Sequence, residues 1–486
     1  MFRGFVRGAS CSLLAGVVTA AALADEPAGS PNIIFLMADD LGYGDPGFNG
    51  NTVIKTPHLD AMAKDGIRFT RFYSVGPVCA PTRASCLTGR HYVRFGMMHV
   101  NIGKLPRQEI TLARIARSGG YTTGHFGKWH LGSMSRTESP RHQDPEGAYA
   151  PPWERDYDEA FATEISCPTW NPASGLHKQH DSPYWHNGRK ASDHLEGDDS
   201  RVIMDRAIPF IEKAVAGRTP FLTTIWFHAP HSPVVAGPEY RKMYAQHSEG
   251  EQHYYGCITA MDAQIGRLRD ALQRLGIEKN TLLWFCSDNG PEGDGSPPPD
   301  YDAYQGAFHG TTGGLRGRKR SLYNGGVCVP AVAVWPGTIA RERTVDMPCS
   351  TLDYLPTLCE MIGFAYPDER PLDGESILPM LRGRTHQRKT FIPFASNIRK
   401  PRAALIRGDF KLCSDLSASG AGDALYHLHD DAAEAKDLIA SRPQLAQSMK
   451  AQLGDWVRSC RKSFDGGDYR EPYEPQGRFL TLPAGE

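Results

Sequence analysis

Four short apolar runs, each followed at once by polar and reactive residues, organise this chain. Residues 33–37 (IIFLM) lead into Asp39 and Asp40, residues 221–227 (FLTTIWF) into His228-Ala229-Pro230-His231, and residues 282–286 (LLWFC) into Ser287-Asp288-Asn289-Gly290. The fourth run, residues 121–126 (YTTGHF), is the least apolar and leads into Gly127-Lys128-Trp129-His130. Runs of this kind, apolar at successive positions, fit strands buried on both faces, as in parallel sheets. Helical patterning occupies residues 57–65, 109–118, 200–216 and 257–275 in between. Strands alternating with helices predict an α/β fold, and ligands in such sheets sit beyond the carboxyl ends of the strands. Two acids, a lysine, two histidines and an Asp-Asn pair would then meet at one edge. Any one of them alone reads as a capping or turn residue; four such run-ends together point to a site.

The rest of the chain is less regular. Residues 133–199 are rich in Pro, Trp, His and Gly, which predicts long ordered loops, a common place for substrate recognition. Around 366–400 a Pro- and Arg-rich stretch reads as a link to a smaller C-terminal unit. There, residues 403–412 and 424–428 read as antiparallel strands around a turn. Residues 441–463 read as an amphipathic helix, with Leu445, Met449, Leu453 and Trp456 three or four apart. The first 24 residues combine Arg3 and Arg7, an apolar stretch over 13–23, and a small-residue site at Ala22-Leu23-Ala24. That is the pattern of a secretory signal peptide, and the stretch is too short to cross a bilayer. The division expected is 1–24 signal peptide, 25–370 catalytic domain and 371–486 C-terminal subdomain, with the mature protein exported to the periplasm or beyond.

Composition narrows the classes. The 486 residues carry 54 Lys+Arg against 55 Asp+Glu, and loss of the signal segment would leave 52 against 55. This balance argues against a general nucleic-acid binder. Hydrophobic residues at 40% and charged residues at 22% are globular proportions, which exclude a disordered chain, a coiled coil and a polytopic membrane protein. Eleven cysteines are scattered without a single CxxC, so a zinc ribbon or thioredoxin-like site has no support, and pairing in an oxidising compartment is left open.

One cysteine stands in a sharper context. Cys79-Ala80-Pro81-Thr82-Arg83, followed by Thr88-Gly89-Arg90, resembles the signature of the type I formylglycine-dependent sulfatases, members of the alkaline-phosphatase-like superfamily. The motif alone is weak, but PNIIFLMADDLGYGD, GHFGKWHLG, HAPHSP, SDNGP, LRGRK and ALYHLHDDAAEAKDL follow the family pattern in order, from Pro31 to about Leu438. The likeness is to bacterial enzymes of the arylsulfatase and N-acetylgalactosamine-6-sulfatase kind. It implies a central, mostly parallel sheet flanked by helices, with a smaller α+β subdomain of antiparallel sheet plus helix. It also implies hydrolysis of sulfate esters, with Cys79 oxidised by a maturation enzyme to formylglycine, whose hydrate attacks sulfur. Asp39, Asp40, Asp288 and Asn289, with the modified residue 79, match the family's metal ligands. Hard oxygen donors suit Ca²⁺, with Mg²⁺ the lesser alternative. By the same resemblance Arg83 binds the hydrate, Lys128 and Lys319 contact sulfate oxygens, His130 assists collapse of the intermediate, and His231 protonates the leaving oxygen. His228 is a nearby competitor, but His231, before Ser232-Pro233, aligns with the family acid. Two positions depart from the family pattern: Asn324 where Glu is usual, and Cys328 where Arg is usual.

A sulfated carbohydrate is the expected substrate. The alternatives are a phosphonate monoester or phosphodiester hydrolase of the same superfamily, and a carbohydrate-binding relative with a decayed site. The segment 170–189, with Trp170, His177, His180, Trp185, His186 and Arg189, suits a sugar pocket, and contact with substrate is expected from at least one of Trp185, His186 and His309. Neither nucleic acid nor a membrane span is expected among the partners. The particular glycan is not written in these residues.

Overall fold

The computed structural model describes residues 1, 30–175, 182–293, 308–417, 419–473 and 475–481. Nearly all of the expected signal segment, with His177 and His180, lies outside them. Sixteen strands fall among the described residues, numbered in chain order. They are β1 (Asn32–Ala38), β2 (Ile67–Phe69), β3 (Phe72–Tyr73), β4 (Thr122–Lys128), β5 (Glu159–Thr163), β6 (Tyr184–His186), β7 (Arg189–Lys190) and β8 (Phe221–Trp226). Then follow β9 (Thr281–Ser287), β10 (Ala331–Val334), β11 (Arg343–Val345), β12 (Cys349–Ser350), β13 (Ile392–Ala395), β14 (Ala403–Arg407), β15 (Phe410–Ser414) and β16 (Ala424–His427). Ten of them form one sheet in the order β11-β2-β10-β9-β1-β8-β4-β5-β6-β7. Its centre, β9-β1-β8-β4-β5, is parallel throughout, and β10 and β6 flank it antiparallel.

The four apolar runs are four of these central strands. Side chains alternate between the two faces of a strand, and in β1 both faces are covered. Ile33, Phe35 and Met37 enter one core with the helices Cys79–Thr88, Leu112–Ser118 and Tyr354–Met361. Ile34, Leu36 and Ala38 enter a second core with Pro57–Asp65, Asp199–Ala216 and Glu249–Arg274. Burial on both sides is why these strands read as apolar runs rather than alternating ones. The register levels their carboxyl ends: Met37 lies beside Trp226 and Cys286, and Trp226 beside Gly127. Whatever follows each strand therefore emerges at the same edge.

Several boundaries differ from the sequence reading. The helix expected at 257–275 begins at Glu249, eight residues earlier, where Ser248 and Glu251 close a reciprocal capping box. The helix expected from 109 begins at Leu112, because the Thr111 side chain accepts from Arg114 N–H and caps it there. Residues 403–412 hold two strands, β14 and β15, turning at Gly408 with φ of 59°. The stretch read as a linker contributes β13, the edge strand of the small antiparallel sheet β13-β14-β15-β16. The helix Pro443–Phe464 buries Met449, Leu453 and Trp456 of the expected stripe and leaves Leu445 half-buried. Among the described residues no helix is long and apolar enough to cross a membrane.

Candidate active site

The loops leaving β1 and β9 are stitched together. Asp288 N–H donates to Ala38 O at 3.1 Å, Leu41 N–H to Ser287 Oγ at 3.0 Å, and Asp40 N–H to Asp288 Oδ1 at 3.2 Å. Asp40 adopts a left-handed backbone, φ 65°, a conformation that Asp tolerates better than most side chains. The helix Cys79–Thr88 starts beneath these loops with Cys79 as its first residue. Ligand atoms of Asp39, Asp40, Cys79 and Asp288 all lie within 4.8 Å of one another, and all four residues are buried.

Three cations surround this cluster. Arg83 donates to Asp288 Oδ2 from Nε at 3.0 Å and Nη2 at 2.7 Å, and its Nη2 lies 3.3 Å from Asp39. Lys128 bonds Asp39 Oδ2 and stands 3.6 Å from Cys79 Sγ. Lys319 donates to Asp40 Oδ2 at 2.7 Å. Burial pushes the Asp40 carboxyl up to about 7, against the opposing pull of Lys319, with Asp39 and Glu292 adding repulsion. Asp288 is raised by burial and by Asp39. Burial also raises Asp39, but the Lys128 and Arg83 cations beside it outweigh burial and hold that carboxylate well below its ordinary value. The Cys79 thiol is pushed well up by burial, Asp288 and Asp39. A thiol held protonated is a poor nucleophile, so the cysteine is not arranged for thiolate chemistry.

The donor set fits a hard divalent cation. Carboxylate oxygens of Asp39, Asp40 and Asp288 converge, and Asn289 Oδ1 is buried without a hydrogen-bond partner. A buried carbonyl oxygen without a donor is costly, and a metal ion is one group that satisfies it. Asn289 Nδ2 meanwhile donates to Asp40 Oδ1 at 2.7 Å, fixing the amide.

The three histidines of the edge divide clearly. His231 lies with Nε2 3.8 Å from Asp40 Oδ2, while its Nδ1 meets Ser232 O at 2.6 Å. A carbonyl oxygen only accepts, so Nδ1 carries the proton and Nε2 is the nitrogen facing the acids. His130 Nε2 lies 3.3 Å from Asn101 Oδ1, and its Nδ1 is buried with no partner. Burial, followed by nearby Lys128, lowers both rings well below the ordinary histidine value, so both are neutral. His228 belongs elsewhere: its Nδ1 is 2.8 Å from Asp199 Oδ2 and its Nε2 2.7 Å from Thr163 Oγ1.

The predicted residues Asp39, Asp40, Cys79, Arg83, Lys128, His130, His231, Asp288, Asn289 and Lys319 are thus gathered at one place. The expected sugar contacts have other immediate neighbours. Trp185 and His186 lie on β6, separated from β1 by β8, β4 and β5, with Lys190 over the Trp185 ring at 5.5 Å and Glu159 3.6 Å from His186 Nε2. Trp170, also in that segment, packs beside Gly237. His309 is half-buried in the segment whose Gly310 O accepts from Arg318 at 2.7 Å, near Glu251. Asn324 and Cys328 face the small sheet: Asn324 Oδ1 accepts from Lys411 at 3.0 Å, and Lys411 pairs with Glu434 at 2.9 Å. Glu434 Oε2 in turn accepts from Asn324 N–H.

Sequence reasoning missed three residues. Glu292 lies 3.3 Å from Lys319 and also binds Arg320; burial pushes it up, but those cations outweigh burial and hold it ionised. Its place three residues beyond Asn289, in the same loop, was the available signal. Asp45 accepts from Tyr254 OH, Gly42 N–H and Thr311 N–H at 2.7–2.8 Å and so ties three segments together. Asn101 gave no sequence signal.

The family described as Sulfatase matches residues 31–364, and the N-sulphoglucosamine sulphohydrolase C-terminal family matches residues 317–462. Human arylsulfatase A is 34% identical over 404 residues, covering 77% of this chain and 72% of that protein. Mouse N-acetylgalactosamine-6-sulfatase is 31% identical over 376 residues, covering 74% and 68%. A crystal structure titled as Ps i-CgsB in complex with k-i-k-neocarrahexaose superposes with a TM-score of 0.73 at 26% identity, covering 92% of this chain and 95% of that one. The chain belongs to the sulfatase family, with its alkaline-phosphatase-like fold. It is a sulfuric ester hydrolase.

Proposed function

We propose that this enzyme removes sulfate from a sulfated carbohydrate, using a formylglycine made from Cys79 and a Ca²⁺ ion held by Asp39, Asp40, Asp288 and Asn289. The observation that carries this reading is the convergence of three buried carboxylates and an unpartnered amide oxygen on a cysteine whose thiol is itself held protonated. A Ca²⁺ ion there would draw negative charge from the bound sulfate and the hydrate oxygen. Arg83 pairs with both Asp288 and Asp39 and orients them toward residue 79. Lys128 and Lys319, both buried, turn from their carboxylates toward sulfate oxygens and stabilise the charge that builds on them.

One hydroxyl oxygen of a formylglycine hydrate would form a bond to sulfur as the bond from sulfur to the alcohol oxygen breaks, its proton passing to Asp39 Oδ1, which accepts from Cys79 Sγ at 3.2 Å. His231 Nε2 faces the cluster, and the negative charge of a bound sulfate favours its protonated form, so it hands its proton to the departing alkoxide. His130 then takes the proton of the second hydroxyl; the carbon–oxygen bond to sulfate breaks, sulfate leaves, and the aldehyde returns for rehydration. A carbohydrate substrate is supported by the neighbour whose title names a neocarrahexaose complex, and export by the signal-like residues 1–24.

The test is to co-express the chain with a formylglycine-generating enzyme, weigh the peptide holding residue 79, and assay sulfate release beside phenylphosphonate cleavage. The mass of thiol replaced by aldehyde, with sulfate release exceeding phosphonate cleavage, is expected. A fully matured protein that favours phosphonate would overturn the reading.

A further inference from the structure

His130 and Asn101 meet at the mouth of the site, and both have left-handed backbones with φ of 61°. Apart from Gly, the residues enriched in this conformation are Asn, Asp and His. Each backbone is held from outside the pair. His130 N–H donates to Glu164 O at 3.0 Å, at the end of β5. The loop 96–103, which presents Asn101, is pinned by Arg478 N–H donating to Gly96 O at 2.9 Å. Gly103 lies so close to Gln476 O that a Cβ there would collide with it. The two side chains therefore arrive from fixed positions.

Their contact determines which ring nitrogen of His130 bears the proton. Asn101 Oδ1, 3.3 Å from Nε2, can only accept, so Nε2 is the N–H. A neutral imidazole has one such proton, which leaves Nδ1 with a lone pair. That atom is shut away from solvent and has no hydrogen-bond partner among the described residues. A buried acceptor with nothing to accept from is the unusual feature, because most such atoms in folded proteins are paired. Had Nδ1 borne the proton instead, Asn101 Oδ1 would face a second acceptor.

The geometry points to Asn101 as a positioning residue: its side-chain oxygen holds His130 in the Nε2–H form, so that the buried Nδ1 is the free base that removes a proton during turnover. This rests on the reading above for which proton is removed, that of the second hydrate hydroxyl. Asn101 touches no reacting atom; it acts through the ring. The left-handed backbone supplies a clean pair of variants, since Asp and Gly both tolerate it. Asn101→Asp keeps an oxygen acceptor, whereas Asn101→Gly keeps the loop and removes the acceptor.

In matured protein, Asn101→Gly should lower kcat about tenfold or more with KM little changed, because proton transfer is impaired and ground-state binding is not. It should also show a burst of alcohol release stoichiometric with enzyme before slow turnover, as the sulfated intermediate accumulates. Asn101→Asp should restore most of kcat while its added charge raises KM for an anionic ester. Wild-type kcat in the Gly variant, or equal losses in Gly and Asp, would overturn the inference. The kinetic comparison is run on whichever ester wild type cleaves, so a failed sulfatase reading is seen in wild type itself. Ring ¹⁵N NMR of histidine-labelled protein, with His130 assigned by its loss in His130→Gln, reads the tautomer without turnover. An unprotonated Nδ1 in wild type and Asn101→Asp, mixed with the other tautomer in Asn101→Gly, is expected; the same single tautomer in all three would sink the idea.

Discussion

Two buried clusters of metal-ligating residue types lie at the same sheet edge, and they are built in opposite ways. One is Cys167, Asp199 and His228; the other is Asp39, Asp40, Cys79 and Asp288. In the first, Asp199 accepts from Tyr184 OH at 2.6 Å and Cys167 Sγ at 3.5 Å while pairing with His228, whose other nitrogen meets Thr163. Every polar atom has a partner, and one carboxylate faces one imidazole. The second crowds three carboxylates together, drives Asp40 up to about 7, and leaves Asn289 Oδ1 and His130 Nδ1 without partners. A closed network serves the fold, and an open one is held by the fold for something else. Residue type does not separate them; satisfaction does.

The comparison breaks most sharply at residue 79, the proposed nucleophile. Cys79→Ala should cut sulfate release by at least about 10³-fold while shifting the melting temperature by no more than about 2 °C. The reverse is expected at the closed cluster, where Asp199→Ala strands His228, Tyr184 and Cys167 without an acceptor. Urea unfolding should show a loss of about 3–4 kcal/mol. Ca²⁺ sharpens the contrast. At 100 times its dissociation constant it should stabilise wild type by about 2.7 kcal/mol, an effect absent in Asp288→Ala and retained in Cys167→Ser; equal stabilisation of all three would remove the cation from the open cluster.

The smallest expected effect comes from a third buried region, where the helix Pro443–Phe464 docks. His91 is lowered to about 3 by burial, against the pull of Asp373, and its Nδ1 accepts from Val93 N–H at 3.3 Å. The folded value lies below that of the unfolded chain, so the unfolded state takes up the proton first. Stability is therefore full above pH 6.5 and falls as pH drops below it. Between pH 7.5 and pH 5 the loss should be about 2 kcal/mol, and His91→Asn should flatten that part of the curve.

Much of this was legible beforehand, for a physical reason. Strands covered on both faces must be apolar at every position, so β1, β8 and β9 stood out, and the loops that follow them carried most of the site. The β4 run was fainter because Thr122, Thr123 and His125 interrupt it, yet it lies in the same parallel register. The edge strand β13 was hidden by Pro393, a residue that edge strands accept and central strands do not. The early start of the helix Glu249–Arg274 was masked by Gly250, His253 and Gly256, although its Ser248/Glu251 capping box was readable. Asn101 was invisible because neither periodicity nor motif distinguishes it, and Glu292 offered only its place in the loop after Asn289; the neighbour each one meets in space gives it a role. Trp185 and His186, residue types suited to sugars, lie on β6, with β8, β4 and β5 between it and β1.

Residues 476–478 clasp the loop 96–103 that presents Asn101, so that Gly477 lies too near Gly96 to accept a side chain. A ribosome makes those two segments far apart in time. Until the later one emerges, the earlier loop lacks its outer support, and the partner of His130 has no fixed address. The site is thus among the last parts of the molecule to be completed, although most of its chemistry is encoded among the first to be synthesised.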